Sequence, residues 1–210
     1  MVGAPFERAE IETEWIVSEE ETRMPGHLEV HKGPMFAGKT TKLLRLYNAS
    51  LELGLVSVVV SHALDQRYAK KFVVSHDGVK APCIAVTSLK EAIATHNVLH
   101  GGPGGSQTLF IDEAQFMPDL VWFCNAAMDA GKTVHVFGLD KDYLLRDFNN
   151  MNEVSMLADK NHRLRGVCNL CGNAASCTSR LTGSSERILI GSSEYEPRCD
   201  KCHTIPCGPE

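Results

Sequence analysis

The sequence predicts an α/β fold, in which a parallel sheet flanked by helices is followed by a small metal-binding module. Short β-branched runs alternate with helical patterns from residue 26 onward, which is typical of a parallel sheet. A glycine-rich loop lies between the first predicted strand and the first predicted helix. Two Cys-x-x-Cys pairs near the C-terminus indicate the second module.

Four segments have the composition of strands in this sheet. We predict strands at residues 27–32, 56–61, 107–112 and 133–138. Residues 109–111 and 134–137 are apolar at almost every position, as expected for strands that are covered on both faces.

Two segments have the apolar spacing of helices. The first spans about residues 40–53 and ends before Gly54, and its apolar face comprises Leu43, Leu44, Leu46, Tyr47 and Leu51. The second begins near Pro118 and ends before Gly131, and its apolar positions are Leu120, Phe123, Cys124, Ala127 and Met128. Residues 100–106, which are rich in glycine, predict a flexible surface loop.

Charge is concentrated at the N-terminus. Residues 1–25 hold seven acidic and two basic residues, which account for the whole net charge of −5. We interpret them as a disordered acidic tail, followed by a main domain at 26–160 and a module at 161–210. The neutral body disfavours a nucleic-acid partner. No apolar run suits a membrane span or a signal peptide, so we expect a cytoplasmic protein.

The loop after the first strand matches the phosphate-binding P-loop pattern, in which backbone N–H groups and a helix N-terminus surround a polyphosphate. A lysine adds a full positive charge, and Thr40 can offer its hydroxyl to Mg²⁺. The alternative is a glycine turn that precedes a lysine by chance. The residues of the loop are Gly33, Pro34, Met35, Phe36, Ala37, Gly38, Lys39 and Thr40.

Two acids follow the third predicted strand, at the sheet edge where ligands bind in open parallel sheets. Asp112 suits a magnesium shell, and Glu113, pointing the other way, can accept a proton from an attacking hydroxyl. In an ATPase, Glu113 would instead orient water. The triplet of Asp65, Gln66 and Arg67 follows the second strand and can reach the phosphates, although a surface ion pair is the default interpretation.

Four cysteines in two close pairs supply the thiolates of a closed tetrahedral zinc site, namely Cys168, Cys171, Cys199 and Cys202. Such a site is structural, because four protein ligands leave no position for water. Redox pairs or free thiols are the alternative. The intervening segment at about 178–195 is tethered at both ends and suits a substrate lid, and we expect a strand at 187–190.

Together these motifs resemble the type II thymidine kinases over residues 26–202. The resemblance is carried by the loop at 33–41, by 65–68, 75–77, 111–116, 131–134 and 138–140, and by both cysteine pairs. It implies phosphorylation of the 5′-hydroxyl of thymidine by ATP and Mg²⁺, with Glu113 as base and the phosphates near Asp65, Gln66, Arg67, Asp112, Ala114 and Gln115.

The resemblance also implies that the lid is a lasso that holds the thymine base chiefly through backbone groups. The implied thymidine contacts are Met35, Phe116, Leu139, Tyr143, Phe148, Thr178, Arg187, Ile188, Leu189, Ile190, Gly191 and Tyr195. Core packing is the alternative role for each aromatic residue. Homotetramer assembly and inhibition by thymidine triphosphate are further family properties that the resemblance implies.

Three positions depart from the family pattern. Tyr143 replaces a phenylalanine, Ser61-His62 replaces a lysine-containing pair, and the lasso is one residue shorter between Gly191 and Tyr195. These changes concern nucleoside affinity more than phosphoryl transfer. Two other functions remain compatible with the residues: a zinc-containing P-loop ATPase that acts on nucleic acid or a partner, and a non-catalytic nucleotide sensor.

Overall fold

The computed structural model of the 210-residue chain describes residues 25–64, 71–100, 105–183, 186–189, 191 and 193–203. Except for Pro25, the predicted acidic tail lies outside these residues, as do Asp65, Gln66, Arg67, Ile190 and Cys207. Among the described residues, no helix has the length and apolar character required to cross a bilayer.

The main domain is built on a six-stranded sheet in which every strand pairing is parallel. The strand order is β5-β2-β6-β7-β1-β8. The strands are β1 (His27–Lys32), β2 (Ser57–His62), β5 (Ile84–Val86), β6 (Thr108–Asp112), β7 (Thr133–Gly138) and β8 (Lys160–Arg163). The four predicted strands are therefore confirmed to within one residue at each end.

Helices cover both faces of this sheet. They are α1 (Lys39–Glu52), α2 (Leu89–His96), α3 (Leu120–Asp129) and α4 (Asn149–Leu157), and a 3₁₀ turn spans Ala114–Phe116. The two predicted helices correspond to α1 and α3. On α1 the buried positions include Ser50, whereas Leu51 is 45 % exposed, so the predicted apolar face is wrong at its C-terminal end.

The core consists of two layers separated by the sheet. Leu109 and Ile111 of β6 pack on the side of α2, α3 and α4, whereas Phe110 packs with Tyr47 of α1 and Phe137 of β7 on the other side. Side chains alternate between the two faces of a strand, so this run is apolar at consecutive positions.

The remaining strands form three antiparallel pairs. β3 (Phe72–Val74) pairs with β4 (Lys80–Pro82), β9 (Gly166–Val167) with β10 (Ala174–Ala175), and β11 (Cys177–Arg180) with β12 (Tyr195–Arg198). The last two pairs lie in the predicted C-terminal module. β8 crosses the boundary that we predict at residue 160.

Two local expectations are wrong. Residues 187–189 do not form a strand, because among the described residues their backbone has no strand partner and is held by side chains of the neighbouring hairpin. The predicted surface loop does not extend to Ser106, which is buried and donates its hydroxyl to the carbonyl of Val98. Residues 101–104 of that loop lie outside the described part of the chain.

Candidate active site

The carboxyl ends of the central strands open into a cavity of about 300 Å³. It is lined by the loop between β1 and α1, by the acids after β6 and by residues 187–189 from the C-terminal module. This volume falls within the range of small-molecule sites. The residues predicted for phosphate binding and those predicted for the substrate therefore share one cavity.

The loop at 33–40 has the backbone geometry of a phosphate-binding turn. Gly38 precedes α1 with φ 73°, a left-handed conformation that glycine adopts without strain. Lys39 Nζ lies 3.1 Å from the carbonyl oxygen of Gly33 and 2.7 Å from that of Pro34. The lysine therefore follows the rim of the loop, where its charge adds to the N-terminus of α1.

The loop also touches the chain segment that leads into the C-terminal module. A Cβ atom at Gly33 would lie 2.4 Å from the carbonyl oxygen of Leu164, and one at Gly166 would lie 3.0 Å from that of Phe36. The backbone N–H of Met35 donates to Thr178 Oγ1 at 2.9 Å. These contacts fix the module against the phosphate loop.

Asp112 and Glu113 both line the cavity. Asp112 ends β6 and is buried, while Glu113 has φ 51° and begins the 3₁₀ turn. This left-handed residue ends the regular alternation of strand side chains after Asp112, and both acids border the same cavity. A non-glycine residue in this conformation is uncommon and often marks a functional position.

Gln115 positions the Glu113 carboxylate. Its Nε2 donates to Glu113 Oε2 at 2.7 Å, and its Oε1 accepts from the backbone N–H of Leu139 at 3.0 Å. Asn150, the second residue of α4, donates to the carbonyls of Ala114, Gln115 and Met117. The turn that carries the acids is therefore tied to both β7 and α4.

The substrate residues predicted by resemblance border the same cavity. Phe116 and Phe148 form an edge-to-face pair with ring centres 6.3 Å apart. The described residues of the predicted set all line the cavity: Met35, Phe116, Leu139, Tyr143, Phe148, Thr178, Arg187, Ile188, Leu189, Gly191 and Tyr195. Phe148 also packs in the core, so its two proposed roles coexist.

Arg180 organises this part of the site, although the motif analysis does not single it out. Its guanidinium lies 3.7 Å from the ring centre of Tyr143 and 5.1 Å from that of Tyr195. It donates to the Tyr195 hydroxyl at 2.6 Å and to the carbonyls of Glu186 and Arg187. Arg180 is buried and thus fixes the segment that carries the lasso contacts.

Arg187 forms a second anchor of the same segment. Its Nε donates to Asp142 Oδ2 at 2.9 Å, and its guanidinium lies 5.0 Å from the centre of the Phe148 ring. Burial opposes ionisation of Asp142, but hydrogen bonds from Arg146 and Arg187 outweigh it and lower the pKa of Asp142. The lasso is thereby attached to the loop after β7 by an ion pair.

Sequence reasoning assigned no site role to several residues that line the cavity, although one of them, His76, lies in the segment 75–77 that carries the family resemblance. Among these are Ser61, His76, Lys141, Asp142 and His62, whose ring centre lies 5.7 Å from that of Phe116. Burial lowers the pKa of His62. A hydrogen bond with the backbone of Thr87 and the nearby charge of Glu113 partly oppose this shift. The only sequence signal at this position is the departure of Ser61-His62 from the family pattern.

Of the predicted phosphate-site residues that the structure describes, Gly33, Pro34 and Ala114 do not line the cavity. The carbonyls of Gly33 and Pro34 accept hydrogen bonds from Lys39, and Ala114 is fully buried. Thr40 lines the cavity together with Asp112, which makes both oxygen groups available to a cation there.

The four paired cysteines come together in the C-terminal module. Their sulfur atoms all lie within 4.8 Å of one another, and Cys171 Sγ is 3.6 Å from Cys199 Sγ. Tetrahedral zinc with Zn–S bonds of about 2.3 Å requires sulfur atoms about 3.8 Å apart, so the donor set fits the ion. His203 is not in the cluster and instead contacts Ser179 Oγ through Nδ1 at 2.6 Å.

Two turns present these sulfur atoms. The N–H of Gly172 donates to the carbonyl of Cys168, and that of Cys202 donates to the carbonyl of Cys199. Burial opposes ionisation of Cys168, but backbone hydrogen bonds from Cys199 and Cys171 lower its pKa to about 6. Hydrogen bonds with Cys199 and Cys171 raise the pKa of Cys202 to about 12, so thiolate formation, which zinc binding requires, is favoured at Cys168 but not at every sulfur of the cluster.

Comparison with known proteins agrees with this geometry. The family model for thymidine kinase matches residues 26–203. The chain is 38% identical to thymidine kinase a of Arabidopsis thaliana over 192 residues, which cover 88% of this chain and 78% of that protein.

Two further thymidine kinases are similar. The protein of Oryza sativa subsp. japonica is 39% identical over 83% of this chain and 65% of its own length, so the chain spans slightly less than two thirds of it. That of Yaba monkey tumor virus is 32% identical over 85% of this chain and 94% of its own length. The chain therefore belongs to the thymidine kinase family of ATP-dependent phosphotransferases.

Proposed function

We propose that this protein transfers the γ-phosphate of ATP to the 5′-hydroxyl of thymidine and forms thymidine monophosphate and ADP. One observation carries the proposal: the phosphate loop, the acids after β6 and the lasso segment line the same cavity. The names of the three relatives support thymidine as the acceptor.

The donor end binds the phosphates of ATP. Backbone N–H groups of residues 36–40 and the N-terminus of α1 face the negative charge, and Lys39 adds an ammonium group. Mg²⁺, when bound, would neutralise phosphate charge, and Thr40 and Asp112 are the residues that would hold it. The proposed phosphate contacts also include Asp65, Gln66 and Arg67, which lie outside the described residues.

Glu113 acts as the general base in this proposal. Its carboxylate removes the proton from the 5′-hydroxyl as the oxygen attacks the γ-phosphorus and the bond to ADP breaks. Gln115 keeps one carboxylate oxygen oriented, because its amide is itself fixed by the N–H of Leu139.

The acceptor end binds the nucleoside. Phe116 and Phe148 offer aromatic surfaces to the thymine ring, and the backbone of residues 187–191 supplies polar groups to its edge. Leu189 is held in place, because its N–H donates to the Tyr195 hydroxyl at 3.0 Å. Zinc, bound by the four cysteines, would hold both ends of this lasso without taking part in the reaction.

Homotetramer assembly and inhibition by thymidine triphosphate belong to the same proposal and derive from the family resemblance, whereas the cytoplasmic location is the expectation from the sequence. The body of the chain outside residues 1–25 has balanced charge, which supports small-molecule substrates over nucleic acid.

The test is an assay of the full chain with ATP, Mg²⁺ and a panel of nucleosides. We expect ADP formation to depend on thymidine, and Glu113→Gln to lower kcat by about 10²–10⁴-fold while ATP binding changes little. Glu91→Gln, at an exposed residue of α2, is the matched control. Hydrolysis that ignores nucleosides but rises with DNA or RNA would instead indicate an ATPase.

A further inference from the structure

A cluster of histidines and one glutamate occupies the α1 side of the sheet. His27, Glu29 and His31 alternate along β1 and thus share one face. In the register of the sheet, Glu29 pairs with His135 of β7, and His31 pairs with His162 of β8. None of these residues lines the cavity described above, so the proposed reaction does not explain the cluster.

Three atoms of this cluster face one another at metal-ligand spacing. His31 Nε2 lies 3.4 Å from His135 Nδ1 and 3.8 Å from Glu29 Oε2, and His135 Nδ1 lies 3.9 Å from the same oxygen. A point equidistant from the three atoms is about 2.1 Å from each, which is the length of zinc bonds to imidazole nitrogen and carboxylate oxygen. We propose that Glu29, His31 and His135 bind a divalent first-row transition-metal ion, for which Zn²⁺ is the test ion.

The protonation states of the three groups suit this ion. Burial lowers the pKa of His31 to about 3 and that of His135 to about 4, so both rings are neutral at pH 7 and carry a lone pair. Burial opposes ionisation of Glu29, yet hydrogen bonds from His27, His162 and Lys160 lower its pKa to about 2. The set therefore supplies two neutral nitrogen donors and one anionic oxygen donor.

Stacking holds the imidazole rings in place. His31 lies between Phe137 and His162, with ring centres 4.4 Å from each, and His135 stacks on Phe110 at 5.0 Å. Rigid ligands of this kind reduce the entropy that metal binding must overcome.

The cluster is open to solvent on its β8 side. The side chains of His162 and Glu29 are 33% and 14% exposed, whereas that of His31 is fully buried. Lys160 contacts the other oxygen of Glu29 at 3.2 Å, and as a 62% exposed side chain it can move aside. His162 Nε2 lies 2.8 Å from Oε2 itself, so an ion that enters from the sheet edge must displace this partly exposed ring from the oxygen.

A metal titration tests the proposal, provided that the cysteine cluster is filled first. The full chain is loaded with one equivalent of Zn²⁺, and further Zn²⁺ is titrated by calorimetry. We expect a second equivalent to bind, and Glu29→Gln or His135→Gln to weaken it by at least about tenfold. His96→Gln, at an exposed histidine of α2, should leave it unchanged.

Binding of only one equivalent in total, or a second equivalent unaffected by Glu29→Gln and His135→Gln, would overturn the proposal. A second measurement uses the chain without substitutions, so its result does not depend on whether the variants fold. In ¹⁵N NMR spectra of the histidine rings, the second equivalent should shift the resonances of His31 and His135 but not that of His96. Shifts confined to other histidines would equally refute the site.

Discussion

The guanidinium group of Arg180 lies 3.7 Å from the centre of the Tyr143 ring and donates a hydrogen bond to the hydroxyl of Tyr195. Tyr143 belongs to the loop after β7, whereas Arg180 and Tyr195 lie on β11 and β12. Arg180 therefore joins the wall of the nucleoside site to the hairpin that carries the lasso.

Arg180→Lys should destabilise the protein and weaken thymidine binding. Lysine has no planar group to stack on Tyr143 and cannot donate at once to Tyr195 and two carbonyls, so the buried Tyr195 hydroxyl or the partly buried carbonyls lose their partner. We expect a loss of about 2–3 kcal/mol in the free energy of unfolding. Denaturant unfolding measures it, and Arg45→Lys at an exposed position of α1 should remain within error of the parent protein.

Arg187→Ala should raise the KM for thymidine and leave the KM for ATP nearly unchanged. The lost ion pair with Asp142 is partly exposed, so we expect an effect of about 1 kcal/mol, or about fivefold in KM. Arg146→Ala is the matched control, because Arg146 contacts the same Asp142 oxygen at 2.9 Å without lining the cavity. Equal effects of both substitutions would assign the role to Asp142 alone.

Removal of zinc should impair nucleoside binding before it impairs ATP binding. The cysteine cluster holds the ends of the hairpin that carries Thr178 and Tyr195. Cys171→Ser should lower the zinc content of the purified chain and raise the KM for thymidine by about tenfold, equivalent to about 1.4 kcal/mol. The Cys124→Ala variant, which is altered at a buried cysteine of α3 outside the cluster, should have the same zinc content as the parent chain. Unchanged thymidine affinity after verified metal loss would contradict this prediction.

His62 should make the protein less stable as the pH falls below 6.5. Burial keeps the folded pKa of His62 below its ordinary value of 6.5, so the unfolded chain binds more protons at this residue in the window beneath that value. The slope of the unfolding free energy from this group is at most about 1.4 kcal/mol per pH unit. Urea unfolding between pH 7 and pH 5 should give a smaller slope for His62→Asn than for the parent, whereas His96→Gln should give the parent slope.

The central strands and the motifs could be predicted because their signals are local. The β6 run is apolar at every position that the two-layer core requires, and the phosphate loop and cysteine pairs are each contained in a few residues. β8 could not be predicted in this way. Its residues, Lys160–Arg163, are polar, and they pair with β1 at an edge where burial places little demand on composition.

The parts of the site that sequence reasoning missed depend on contacts between distant residues. In the sequence, Arg180 has no feature that distinguishes it from other charged residues, and its contact with Tyr143 exists only in the folded chain. His62 likewise contacts Phe116 only because β2 and the 3₁₀ turn lie side by side. The extended segment at 187–189 has strand-like composition, but its hydrogen bonds go to side chains. Such long-range arrangements leave no periodic signal in the chain.

The two glycines at positions 33 and 166 set how closely the phosphate loop and the chain leading to the metal module can approach. Any side chain at Gly33 would collide with the backbone of Leu164, and Gly166 leaves little more room beside Phe36. Even one methyl group at either position would force the phosphate loop and the chain leading to the metal module apart. In the proposed function, the alignment of ATP with thymidine therefore depends on two positions that have no side chain.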